Sequence, residues 1–480
     1  MAETSLKYRT KLGLYWKTVE QVSLYAMQFV VGIVMARLLS PKDYGIAALP
    51  AVFMSIAQVF IDGGFGLALI RKPEVTKEDL AASFYYSFAV GVFCYVALFW
   101  GAPYIADFYN VPILTPLVRV TALNFIWSPL QTPQSVILSR RLDFKTPARI
   151  SIVNKIVSAV VGISVAYMGY GIWALVASML TSSLMSVAQF WLVVKWYPNA
   201  GFSKESFKYL WNFGSKMIAV RILQAIYANI AQIVIGKAGG TADLGNLSRA
   251  HGFVGLPSNY FTGMVTNVTF PVLSKMQDNE TDMAAKYRKM IKFSAFVCFP
   301  VMMLLCAVAK PLVLFLVTEK WISCVILLQI LCAAHMFLPI QVLNLNLLQV
   351  RGRTDLTLKL EIIKKVVYFI AVVIAVQYGI LVFCITDFFL SMFALIVNTY
   401  YTGKLIGVGY LRQVRDFAPA LALSVSMMVV VQLLITFFNL PIIQLLVGGT
   451  VGVAFYTGFA VLFRFKELDD ALYLLKIRKK

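Results

Sequence analysis

From residue 13 to residue 463 the chain is a nearly continuous series of apolar stretches, each ended by charged residues or by a Pro/Gly turn. About 20 apolar residues suffice to cross the hydrocarbon of a bilayer as one helix. The stretches fall at 13–35, 45–68, 81–105, 117–138, 148–168, 171–194, 214–236, 250–273, 291–316, 322–348, 361–378, 380–402, 417–438 and 441–463. Fourteen such segments define the expected fold class, an all-α polytopic membrane protein of about 14 transmembrane helices with both termini on one side.

Charge distribution orients the chain. Only 14% of the 480 residues are charged, against roughly 25% in soluble domains. Most of the 43 Lys and Arg lie at the N-terminus, at 71–77, 140–149, 195–208, 275–292, 351–365 and 404–415, and at 464–480. The alternate loops, such as 167–171, 377–380 and 439–441, have no basic residue. Basic loops stay cytosolic, so both termini are expected in the cytosol and the net charge of +21 is chiefly topological, with attraction to anionic membrane lipids secondary. No soluble basic domain is present to hold a nucleic acid, and no cleavable signal peptide is evident. The six cysteines have neither disulfide-framework nor zinc-site spacing. His251 and His335 lie far apart in sequence with no acidic helper nearby, which argues against a His-based metal site. No cofactor is expected.

An internal repeat divides the chain. Within Ala36–Leu49, shifting by 200 positions brings Arg37–Ala47 onto Lys237–Leu247, so that Arg37 meets Lys237, Asp43 meets Asp243 and Gly45 meets Gly245. Parallel repeats are a transporter pattern, with the substrate site expected where the repeats meet. The expected domains are an N-terminal six-helix lobe 1–195, a cytosolic linker 196–213, a second six-helix lobe 214–402, an accessory lipid-facing helix pair 417–463 and a basic cytosolic tail 464–480.

Polar side chains in hydrocarbon need a partner or a hydrated cavity, so polar stripes point inward. The first two segments of each half carry such stripes. On the first are Gln21 and Gln28, with Lys17 and Glu20. On the second are Ser55, Gln58 and Asp62. On the seventh are Arg221, Gln224, Asn229 and Gln232, and on the eighth Asn259, Thr262, Thr266 and Thr269. Packing between helices is the competing role of each amide and hydroxyl. Arg221 stands apart because an arginine near mid-bilayer costs about 2.5–3.5 kcal/mol; an ion pair to Asp62 or Glu20 is its structural alternative. Lys155 and Lys216 are further cations near the cavity, although both are placed to snorkel to the cytosolic interface. Asp62 and Asp387 are the carboxylates available for H+ or Na+ coupling.

Several runs carry a family likeness. They are Ala36-Arg-Leu-Leu-Ser-Pro-Lys-Asp-Tyr-Gly45, Asp62-Gly-Gly-Phe-Gly66, Ser139-Arg-Arg-Leu-Asp-Phe-Lys145, Tyr170-Gly-Ile-Trp-Ala-Leu175, Leu244-Gly-Asn-Leu-Ser-Arg-Ala250, Phe270-Pro-Val-Leu-Ser-Lys-Met-Gln277 and Val350-Arg-Gly-Arg-Thr-Asp355. In this order they resemble bacterial polysaccharide-repeat-unit flippases of the Wzx type, within the multidrug/oligosaccharidyl-lipid/polysaccharide exporter superfamily. The resemblance implies two six-helix bundles in a V and a non-enzymatic transporter of the bacterial cytoplasmic (inner) membrane. Its substrate would be an undecaprenyl-diphosphate-linked oligosaccharide, destined for O-antigen, capsule or exopolysaccharide. Polysaccharide polymerase and chain-length machinery are implied partners.

Such a substrate needs cations for the diphosphate, and a guanidinium's planar donors suit it. Arg221 is the first choice, followed by Arg37 and Lys237 as external contacts, while Tyr25, Tyr227, Tyr260 and Phe261 are candidates to stack on sugars. A flippase for the peptidoglycan lipid precursor would share all these features. A membrane glycosyltransferase or polymerase would call for an acidic pair or a large external loop, whereas Leu38–Tyr44 is short with one Asp.

Overall fold

The structure, a computed structural model, describes residues 2–274, 276 and 280–477, and the side chains of 12–13, 15–274, 276 and 282–471. Lys275 and Gln277 of the 270–277 motif and the last three residues of the basic tail lie outside the described residues. No strand occurs among those described. Eleven helical segments among them are long and apolar enough to cross a membrane, and the protein is a multi-pass membrane protein. The expected spans 117–138, 250–273 and 361–378 also fall on helix, but on helix that is broken or too polar for that measure.

Two compact units divide the chain, Met1–Gly245 and Asn246–Lys480. The first contains α1 (Ala2–Leu38), α2 (Pro41–Ala48), α3 (Ala51–Asp62), α4 (Phe65–Arg71), α5 (Lys77–Tyr109), α6 (Leu114–Ala122), α7 (Asn124–Trp127), α8 (Thr132–Arg140), α9 (Lys145–Tyr167), α10 (Trp173–Val194), α11 (Lys204–Ala238) and the first turn of α12 (Thr241–Ser274). Helix α9 packs along both α10 and α1, and α11 packs along α3, α4 and α5. The first unit thus includes the helix that the sequence assigns to a second lobe.

Local chemistry explains the breaks. In the run Ser40-Pro41-Lys42-Asp43, the Ser40 hydroxyl accepts the Asp43 amide at 3.3 Å and the Asp43 carboxylate accepts the Ser40 amide at 2.9 Å. This is a capping box with Pro at the first helical position, so the repeated motif begins as a helix start. Thr76 and Asp79 make a second box at α5, where Asp79 also takes Lys72 at 2.6 Å.

The glycines of the repeat have a packing role. A Cβ on Gly45 would overlap the Thr241 carbonyl and stand 3.1 Å from the Gly245 nitrogen; a Cβ on Gly245 would overlap the Pro41 carbonyl and stand 3.1 Å from the Gly45 nitrogen. Under the 200-residue shift Pro41 corresponds to Thr241, so the contact is reciprocal. Only backbone meets backbone here, and only glycine allows that approach.

The second unit holds the remainder of α12, then α13 (Glu280–Ala307), α14 (Ala309–Val317), α15 (Cys324–His335), α16 (Leu338–Val350), α17 (Thr354–Val376), α18 (Ile380–Ile406), α19 (Tyr410–Ile435), α20 (Pro441–Leu462) and α21 (Lys466–Ile477). Helix α19 begins ahead of the stretch 417–463 expected to face lipid, and polar residues in that leading part tie it to its neighbours. Its Asp416 takes Arg288 of α13 through two bonds of 2.7 Å. Its Gln413 exchanges amide bonds of 3.0 and 2.9 Å with Asn344 of α16, which also accepts the Thr402 hydroxyl at 2.8 Å. Phe417 adds rings 5.8 Å from Phe299 and 5.9 Å from Phe337. The polar residues that anchor α19 lie just ahead of its apolar stretch.

Because backbone cannot yield as a flexible side chain does, Gly45→Ala or Gly245→Ala should each destabilise the full-length protein by about 1–3 kcal/mol. Gly101→Ala, where a Cβ meets nothing within 4 Å, should be neutral or slightly stabilising. Thermal unfolding in detergent reads the difference, and equal midpoints for all three variants would refute the close contact.

Candidate functional site: a polar cavity between broken helices

Two segments of the first unit are interrupted along their length. Gly63 and Gly64 adopt left-handed φ of +54° and +70°, ending α3 directly after Asp62 and restarting the chain as α4. A side chain at Gly63 would meet the Tyr86 ring and one at Gly64 would press on Met217 and Gly214 of α11, so the break also seats α11. The segment 114–140 is interrupted near Pro129 and Pro133, with a short 3-10 turn at Ser128–Gln131 between α7 and α8. Proline removes an amide donor and clashes with the preceding turn.

The last carbonyls of a helix lack intrahelical partners and must find them elsewhere. Arg140, at the end of α8, donates to the carbonyls of Leu69 at 2.9 Å, Ile70 at 3.3 Å, Lys72 at 2.5 Å and Pro73 at 2.7 Å. It thereby caps the end of α4 and ties one broken segment to the other. Its charge marks topology, but its guanidinium also does this structural work.

Between the breaks lies a cavity of about 480 Å³. Gln58, Asp62 and Arg221 line one side; Ser128, Gln131, Thr132, Ser135, Ser139 and Ser186 supply the hydroxyls and amide of the other. Gln58 Nε2 donates to Asp62 Oδ1 at 2.8 Å, and Arg221 Nη1 stands 3.6 Å from Asp62 Oδ2. Arg221 and Asp62 keep 33% and 43% of their side-chain exposure. Ser186 donates to Gln131 at 2.5 Å, while the Ser128 hydroxyl is buried with no hydrogen-bond partner. The cavity therefore offers an arginine held through one long contact beside a carboxylate, together with a hydroxyl- and amide-rich wall. That set suits an anionic, hydroxylated ligand.

The structure brings together three of the residues singled out by sequence and disperses the others. Gln58, Asp62 and Arg221 share the cavity, and Asn229 donates to Ser55 at 3.1 Å on the same helix pair, α11 and α3. Gln21, Gln28, Arg37, Lys216 and Gln224 are exposed on α1 and α11, and Lys155 is half-buried on α9. Lys237 donates to the Phe108 carbonyl and lies 4.9 Å from the Phe108 ring, which secures it to the end of α5. Gln232 keeps a buried amide oxygen without a partner. In the second unit Asn259 is exposed and the Thr262 hydroxyl is buried without a partner. Asp387 lies 4.0 Å from His335, whose ring is 5.6 Å from that of His251, so the two histidines do meet and have an acidic neighbour. The hydroxyls of 128–139 do not stand out in the sequence because they occur among apolar residues; the paired prolines in Ser128-Pro-Leu-Gln-Thr-Pro133 are the signal of a broken span.

Comparison with known proteins adds the family. The model of the family described as "Polysaccharide biosynthesis protein" matches residues 34–326. The chain belongs to that family. It is 26% identical over 369 residues to the teichuronic acid biosynthesis protein TuaB of Bacillus subtilis, covering 76% of each chain. It is 25% identical over 309 residues to the succinoglycan biosynthesis transport protein ExoT of Rhizobium meliloti, covering 64% of this chain and 62% of that one. Its fold resembles that of the lipid II flippase MurJ in an inward closed conformation, with TM-score 0.74, 15% identity, and coverage of 93% of this chain and 99% of that one. This polysaccharide biosynthesis family member thus has a MurJ-like all-helical fold, in agreement with the motif resemblance.

With both partners this exposed, the Arg221–Asp62 pair should contribute little to stability. A double-mutant cycle with Arg221→Ala and Asp62→Ala, read by thermal unfolding, should give a coupling below about 1 kcal/mol. A coupling of several kcal/mol would make the pair scaffolding.

Proposed function

We propose that this chain flips lipid-diphosphate-linked oligosaccharide repeat units from the cytosolic to the periplasmic leaflet by alternating access. It acts as an ion-coupled transporter with no bond-making chemistry of its own. It resides in the bacterial cytoplasmic membrane with both termini cytosolic and 14 spans, and delivers its cargo to polysaccharide polymerase and chain-length machinery. Its lobes are 1–195 and 214–402, joined by the linker 196–213, with the pair 417–463 and the tail 464–480 appended.

The observation that carries this reading is an arginine within an apolar span, facing a polar cavity and only loosely engaged by Asp62. Its insertion cost of about 2.5–3.5 kcal/mol is not recovered by a tight pair, which fits a side chain reserved for a ligand. A lipid diphosphate supplies two phosphates for the guanidinium, and the sugars supply hydroxyls for Ser128, Thr132, Ser135 and Ser139. Membership of a polysaccharide biosynthesis family, and likeness to proteins named for teichuronic acid and succinoglycan, support a polysaccharide precursor over the peptidoglycan one. The MurJ likeness at 15% identity bears on fold alone.

Arg221→Ala should lower the appearance of surface polysaccharide by at least about tenfold, the loss of a charge-assisted contact worth roughly 1.5–3 kcal/mol, while the protein stays in the membrane at normal abundance. Arg221→Lys should restore part of the activity, because a point charge replaces the planar donors. Undiminished polysaccharide export by the alanine variant would remove Arg221 from the site.

A further inference from the structure

The second unit contains a polar cluster outside the cavity described above. Helices α15 and α16 are interrupted at Met336 and Phe337, ahead of Pro339, and His335 is the last residue of α15. Its imidazole Nε2 lies 4.0 Å from Asp387 Oδ2 on α18, and its ring lies 5.6 Å from that of His251 on α12. His335 and Asp387 keep only 21% and 19% of their side-chain exposure. They open onto a cavity of about 230 Å³, room for several waters at about 30 Å³ each.

The surroundings decide which ion suits the place. On α17, Glu361, Lys364, Lys365 and Tyr368 face the cavity, and the Glu361 carboxylate is taken by Lys364 at 2.5 Å. Ser391 donates to the Ala334 carbonyl at 2.7 Å and receives Gln341 at 3.1 Å. Cys384 of α18 is buried nearby, and Cys298 of α13 donates to the Met336 carbonyl beside His335. The Glu361 carboxylate and the Ser391 hydroxyl are thus both engaged by neighbouring groups. No group of three or more His, Cys, Asp or Glu able to hold a metal ion occurs among the described residues. A hard cation such as Na+ is served by several oxygen ligands. Imidazoles are instead groups that exchange protons near neutral pH, and ionisable groups within spans mark proton relays.

We propose that His335 and Asp387, with His251 beside them, form a proton-carrying site that couples transport to the proton gradient. The coupling part rests on the flippase reading; the site itself does not. With the proton bound, the imidazolium and Asp387 draw together as an ion pair. With it released, the neutral ring and carboxylate separate, and the broken end of α15 is the element able to follow. His251 adds a second imidazole whose charge opposes that of His335, so the two rings titrate as a coupled pair.

His251 and His335 are the chain's two histidines, which makes the test direct. Full-length protein with ring-labelled histidine, purified on a histidine-free tag into lipid nanodiscs, should show two imidazole resonances, assigned by His251→Gln and His335→Gln. Asp387→Asn should lower the titration midpoint of His335 by about one pH unit, a tenfold loss of proton affinity. His251→Gln should raise it, and adding NaCl in place of KCl should leave it unmoved. A His335 midpoint indifferent to Asp387→Asn, or displaced by sodium, would overturn the proton site.

A second arm reads coupling. Proteoliposomes containing undecaprenyl diphosphate as the probe and a pH-sensitive dye in the lumen should show probe-dependent proton movement, reduced at least tenfold by Asp387→Asn. Arg221→Ala should abolish that movement yet leave the imidazole titration intact. Probe translocation without proton movement would overturn the coupling. Failure of the wild-type protein to translocate the probe would reject the flippase reading and the coupling with it, while the resonances still decide the proton site.

Discussion

A helix that ends within hydrocarbon leaves carbonyl and amide groups that no solvent can satisfy. This chain makes such ends in both units, at Gly63-Gly64, around Pro129 and Pro133, and at Met336-Phe337. Each needs nearby polar side chains, and polar groups lie beside each of them. Asp62 and His335 each terminate a helix at one of these interruptions, while Arg140 caps the separate end of α4. The functional candidates are therefore a consequence of interruption, since polar groups and water enter a span most readily where its backbone ladder has already failed.

The two cavities differ in character for the same reason. In the first unit, hydroxyls and one arginine surround space large enough for a charged headgroup with part of a sugar. In the second, the space is smaller, Glu361 and Ser391 are held by neighbouring groups, and two imidazoles stand beside a carboxylate. One is suited to a polyhydroxylated anion, the other to an ion with no coordination shell. Each is built within a single compact unit.

Length and hydropathy made the helices legible, because a span of some 20 apolar residues has few alternatives. Their interruptions were less so. The segment 45–68 reads as one apolar stretch, yet Asp62-Gly-Gly divides it, and only the adjacent glycines signal that. Arg221 and Asp62 could be selected from the sequence because charge in oil is costly. Ser128, Thr132 and Ser135 could not, because a hydroxyl's cost in a helix is small and its usual partner is its own backbone. The histidine pair was invisible for a different reason: 84 positions separate its members, and only tertiary structure brings α12, α15 and α18 together. Similarly, Gln413 and Asp416 precede the apolar stretch of α19, so hydropathy alone cast that helix as a bystander.

The clamp at Arg140 bears on how the protein is made. The carbonyls it caps lie 67–71 positions earlier in the chain, so the end of α4 remains unfinished while the ribosome synthesises the next two segments. Until α8 leaves the translocon, those carbonyls must find lipid headgroups, water or a chaperone. The end of α4 is thus completed by a segment made well after it, and the first bundle closes by a contact distant in sequence.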